Sequence, residues 1–127
     1  MLCIAAAGQV LSLAVAAFTL SWTHSVERTE WLERWQVQDG ALRLEEARVQ
    51  GPGAGIHLPE GARATGDGWT YRPQLPPQRR LTLAASGATG AGWSLCTDLG
   101  CREFGRTGGP PVEIWSATEC AAPVVKR

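Results

Sequence analysis

The chain has 127 residues, and its twelve basic side chains, all Arg but Lys126, are balanced by twelve acidic ones. That length makes one domain, residues 1–127, able to bury roughly two-thirds of the surface its unfolded form exposes. Neither charge sign gathers into the basic face that a phosphate backbone requires, so nucleic acid is not an expected partner, and no segment reaches the ~18 uninterrupted apolar residues of a transmembrane helix.

The chain opens on MLCIAAAGQVLSLAVAAFTL, an apolar stretch without a basic leader and interrupted by Gly8-Gln9. It is expected to be mature structure, two strands and a tight turn, rather than a signal peptide. From Phe18 onward the side chains alternate: Phe18, Leu20, Trp22 and His24 fall on one face, and Thr19, Ser21, Thr23 and Ser25 on the other. The apolar set must face the core.

The next segment, Glu27 to Trp35, is the one place where a helix competes, with Glu27, Trp31 and Trp35 at helical spacing. Two turns are marginal without packing, and the strand periods on either side favour continued extension. A returning strand would then present Trp31, Glu33, Trp35 and Val37 on one face. Matching that face to the core brings Glu33 opposite or diagonal to His24, among indoles. A carboxylate on an apolar face needs a partner, and an imidazole supplies one. The pair reads either as a polar station for a ligand or a proton, or as a tie that closes the hairpin's open end. Ser25 follows His24 directly, so in a strand its hydroxyl leaves from the opposite side and cannot act as a His-activated nucleophile. No catalytic residue is assigned.

Further along, Asp39-Gly40 suits a hairpin turn because both residues tolerate positive φ. Short strands follow at Ala41–Leu44, Trp69–Arg72, Leu81–Ala85, Trp93–Cys96 and Val112–Trp115. The loop GPGAGIH carries Gly53 and Gly55, which would let backbone N–H groups approach an anion, but the helix, Lys and hydroxyl of a phosphate cradle are missing. A tight bend explains it more simply, and His57 is a loop histidine. Pro73, Pro76 and Pro77 remove ladder donors and place their segment on the surface or an edge. Trp69, Trp93 and Trp115 read as packing rather than as a stacking platform for bases.

Four cysteines are too few for a disulfide-dense scaffold. Cys96 and Cys101 flank a turn that could set them opposite one another, within bridging distance. Otherwise the thiols are expected to be free, with no metal site, since no His or second close Cys pair adjoins. No cofactor is expected, and the tail from about residue 117 is expected to be poorly ordered. The fold class that results is all-β, a small antiparallel sandwich or partly open barrel of about seven to nine short strands with little helix.

One resemblance covers most of the chain. His24-Ser25-Val26 at the end of an aromatic-alternating strand, Thr29, Glu33 followed by Trp35, the Gly53-Ala54-Gly55 loop, Asp67-Gly68-Trp69 and Ser86-Gly87-Ala88-Thr89-Gly90 together resemble the bacterial domain of unknown function 1850. The resemblance implies a small strand-rich protein whose genes neighbour those of tripartite ATP-independent periplasmic (TRAP) transporters of the TAXI-receptor type. It also implies a periplasmic location, although many relatives carry a longer hydrophobic leader than this chain. The family's recurrent positions correspond to His24, Ser25, Val26, Glu33, Gly53 and Gly55, so the candidate ligand-binding set is His24, Ser25, Glu33, Trp22, Trp35, Gly53 and Gly55. The expected function is a non-enzymatic accessory or ligand-binding module. Its rivals are an enzyme using His24 and Glu33 as acid and base, and a purely structural interaction domain.

Overall fold

A computed structural model describes residues 1–23, 30–50, 61–66, 68–85 and 92–120. Eleven strands are present among them, and no helix. They are β1 (Leu2–Ala6), β2 (Gln9–Leu13), β3 (Ala17–Thr23), β4 (Glu30–Gln38), β5 (Ala41–Gln50), β6 (Arg63–Thr65), β7 (Gly68–Tyr71), β8 (Arg80–Ala85), β9 (Trp93–Thr97), β10 (Gly100–Phe104) and β11 (Gly109–Ser116). All pair antiparallel, in a small sheet of order β2-β1-β11-β8 and a large one of order β10-β9-β3-β4-β5-β7-β6. The architecture is an open sandwich, not a closed barrel. Its strand number exceeds the expected seven to nine because β6 and β10 carry almost no apolar alternation.

The two sheets meet over one core. The small sheet contributes Leu2, Ile4, Leu83, Val112 and Ile114, and the large sheet contributes Phe18, Leu20, Trp35, Leu42, Leu44 and Leu95. Fully burying each such aliphatic or aromatic side chain favours folding by about 1.5–3 kcal/mol, which is what holds the layers together. Phe18 and Trp35 face each other in the β3–β4 ladder and stack with planes 5° apart. The sheets are also tied by a polar link, the Ser116 hydroxyl donating to the carbonyl of Gln38.

The N-terminal segment forms the expected hairpin. Ala7 (φ 50°) and Gly8 (φ 79°) make its two-residue turn, both left-handed as the twist of the flanking strands demands. In the Asp39-Gly40 turn only the glycine takes positive φ, 69°.

Strand β5 runs well past Leu44, where the alternation breaks off. Leu42 and Leu44 point inward, then Ala47 and Val49 do, and the phase changes between them. An extra residue resolves it: Arg34 faces Glu46 and Trp35 faces Leu44, leaving Glu45 in a β-bulge.

All four cysteines are bonded, Cys96 to Cys101 and Cys3 to Cys120. The first pair lies directly across the β9–β10 hairpin. The second corrects the expectation of at most one bridge. Cys3 is fully buried on β1, and the residues after β11 fold back to it, Ala117 N–H donating to the Met1 carbonyl on the way. Nothing in the spacing of Cys3 and Cys120 signals this, because strand order alone places β11 beside β1.

Candidate functional site

The inner face of the large sheet carries a row of residues assembled by register. Leu20 on β3 faces Glu33 on β4, Glu33 faces Ala47 on β5, and Ala47 faces Tyr71 on β7. The adjoining row runs Trp22, Trp31, Val49 and Trp69. Directly opposed residues in antiparallel ladders share a face, so one carboxylate stands among Trp22, Trp31, Trp35, Trp69 and Tyr71. Phe18, Leu20 and Trp35 are buried at the core end of this face, whereas Trp22, Trp31, Trp69 and Tyr71 are half-buried. The apolar core gives way to an aromatic margin, and Glu33 marks the transition.

The contacts are specific. Trp35 donates its indole N–H to Glu33 at 3.1 Å. Trp22 stacks on Trp31 with ring centroids 6.2 Å apart and planes 8° apart, and meets Trp93 at 4.8 Å in a tilted arrangement. The Trp93 indole N–H in turn donates to the Ala84 carbonyl of β8. The aromatic cluster is thereby fixed to both sheets.

Electrostatics single out the carboxylate. Burial pushes the Glu33 carboxyl above its ordinary range, and the Trp35 hydrogen bond draws it only part of the way back. Burial also raises the Tyr71 phenol, and the negative charge of Glu33 raises it further. Tyr71 therefore feels Glu33 across the small Ala47 and stays a neutral donor and acceptor at physiological pH.

Of the residues singled out in the sequence, Trp22, Glu33 and Trp35 project from this one face. His24, Ser25, Gly53 and Gly55 lie outside the described residues, as do Val26 and His57. The position opposite Glu33 belongs to Leu20, and its diagonal neighbours on β3 are Phe18 and Trp22. That corrects the register in which His24 was expected opposite or diagonal to the carboxylate: the residue facing Glu33 lies four positions before His24, and even the diagonal arrangement would need a shift of two. Tyr71 was missed, although the alternation Trp69-Thr70-Tyr71 already puts both rings on one side.

The family model described as a domain of unknown function (DUF1850) matches residues 18–104, well over half of the chain. The chain belongs to that family. The DUF1850 match runs from the second residue of β3 to the end of β10, so it contains all of the large sheet but Ala17, with the Glu33 row and β8, and leaves β1, β2 and β11 outside. Comparison with curated proteins and with solved structures returned no significant match.

Proposed function

We propose that the chain is a non-enzymatic binding module of the periplasm that serves a TAXI-type TRAP transporter, and that its ligand seats at the Glu33 margin of the inner face. The observation that carries this reading is Glu33 itself. An ionisable group placed where burial disfavours its charge lowers stability at neutral pH, and a Leu or Gln would not. Retaining the acid there is sensible if the charge meets a ligand. Half-buried indoles beside one carboxylate suit a ligand with an apolar body and a cationic group, held by ring faces and by the acid together.

The transporter connection rests on family association, not on geometry. Two disulfides in a chain of this size are in keeping with an oxidising compartment. The rival acid–base enzyme would pair Glu33 with His24, which lies outside the described residues, and among the described residues Tyr71 does not take that part. Tyr71, the ionisable side chain whose titration Glu33 perturbs, is shifted away from neutrality rather than toward it.

The test is a tryptophan-fluorescence titration of the purified chain with benzylammonium and tetramethylammonium chloride, against sodium chloride at equal ionic strength. Saturable change in the native chain, lost in Glu33→Gln, supports the reading. A flat response to both cations, or one unaltered by Glu33→Gln, overturns it.

A further inference from the structure

The opposite face of the large sheet holds a second feature of different chemistry. Gln36 and Arg43 face each other across the β4–β5 ladder on the outer side. Arg72 follows the last residue of β7, and the chain then runs beside the first half of β5, Arg43's strand, as Pro73-Gln74-Leu75-Pro76-Pro77 before pairing with it again at Gln78 and Leu42. This strap is pinned rather than loose. Gln78 and Leu42 exchange backbone hydrogen bonds of 2.8 and 2.7 Å, and the Gln78 side-chain amide donates to the Pro76 carbonyl at 2.7 Å. Three prolines fix φ along it. Between strap and sheet lies a cleft of about 590 Å³, lined among others by Gln36, Arg43, Glu45, Arg72, Gln74 and Leu75.

The arginines of this cleft, like Arg63, Arg79 and Arg102, have no acidic partner among the described residues, whereas others on the surface are neutralised. Arg34 is paired with Glu46, Arg80 with Glu113 and Arg106 with Glu103. Arg43 and Arg72 have no ion pair among the described residues, although the bulge residue Glu45 shares their cleft. Two guanidinium groups and one carboxylate leave an excess of one positive charge.

We infer that this cleft binds a small organic monocarboxylate. Guanidinium forks match the planar carboxylate bidentately, and the Gln36 and Gln74 amides supply further donors. The strap offers Pro73, Pro76 and the exposed Leu75 to the ligand's carbon body. Glu45 repels a second negative charge, so phosphate is discriminated against. The site is on the other side of the sheet from Glu33 and does not depend on it.

The experiment is a heteronuclear NMR titration of the whole labelled chain with sodium hexanoate, with sodium phosphate and sodium chloride at matched ionic strength as references. Hexanoate is expected to shift the amides of Gln36, Arg43 and Gln74 saturably. Arg43→Gln and Arg72→Gln, both exposed and without an ion pair among the described residues, should each weaken binding about tenfold, the loss of one charge-assisted hydrogen-bonded contact, while melting as the native chain does. Glu33→Gln should leave hexanoate binding unchanged, so failure here is distinguishable from failure of the inner-face reading. No saturable shift, equal binding of phosphate, or undiminished binding in both arginine variants overturns the inference.

Discussion

Trp35 and Glu33 are joined by an indole-to-carboxylate hydrogen bond of 3.1 Å, made between two residues on the same face of one strand. The bond ties a buried ring of the core to the acid at its margin. Replacing Glu33 by Gln keeps an oxygen to accept from Trp35 and removes the charge that burial disfavours. Glu33→Gln should therefore raise the denaturation midpoint at neutral pH. Glu33→Ala also removes the charge but leaves the Trp35 donor without its partner, a loss of about 1–3 kcal/mol if water cannot replace it. Chemical denaturation of the two variants should order them Gln above Ala. The reverse order would mean that the bond does not form.

The same carboxyl predicts a pH dependence with a definite sign. Its folded-state pKa is raised, so the fold favours the protonated form. That stabilisation is fully present below the ordinary glutamate range, and is lost as pH rises through it to the folded value. Stability measured against pH should thus fall over that window by an amount that Glu33→Gln abolishes. Native and variant curves should converge at the acid end and separate toward neutrality. Curves that stay parallel would show that Glu33 titrates as it does in an unfolded chain.

The two disulfides should differ in weight. Cys3 and Cys120 are separated by 117 positions, Cys96 and Cys101 by five. By chain entropy alone, the long closure restricts the unfolded ensemble by about 5 kcal/mol and the short one by about 2 kcal/mol. The paired Cys3→Ser and Cys120→Ser substitutions also place a hydroxyl at a fully buried position of β1. That double variant should lose much more stability than Cys96→Ser with Cys101→Ser, as thermal melts would report. Equal losses would mean that the unfolded chain is already held compact near its ends.

Much of this was readable because alternation has a simple physical cause. Phe18 to Trp22 and Trp31 to Val37 repeat with a period of two because one side of each strand faces the core. That pattern outweighed the helical spacing of Trp31 and Trp35. Where the period breaks, legibility fails. Beyond Leu44, strand β5 shifts phase through a bulge at Glu45, so its second half was invisible as strand. Strand β6, only three residues long, exists because β7 offers an edge to pair with, not because of its own side chains. The Glu33 row was half legible. The indoles and the acid share a strand face, but Tyr71 joins them only through the order β4-β5-β7, which no local pattern encodes.

The β1–β2 turn provides a stabilising test. Ala7 is the one non-glycine residue with positive φ among the described residues, at 50°. Its Cβ crowds the neighbouring carbonyl in that conformation, at about 1–2 kcal/mol for an L-residue. Asn tolerates the region through local hydrogen bonding. Ala7→Asn should raise the unfolding midpoint by the equivalent of about 1 kcal/mol without altering either proposed site. An unchanged midpoint would place the strain elsewhere in the hairpin.

Gly68 tests whether β7 positions the inner-face row. A Cβ built there would collide with the Val49 carbonyl and lie 2.9 Å from the Gln50 Cα, backbone atoms of β5 that no rotamer change can clear. Gly68→Ala must therefore displace β7 from β5, at a cost of about 1–3 kcal/mol. Tyr71 lies on the displaced strand, and its ring together with that of Trp69 lines the margin around Glu33. If their packing is what desolvates the carboxyl, Gly68→Ala should lower the Glu33 pKa toward its ordinary value as well as lowering stability. The fall of stability with pH would then flatten in this variant even though Glu33 is intact. A destabilised Gly68→Ala chain that keeps the full pH slope would show instead that the core side of the row, Leu20 and Trp35, sets the environment of the acid.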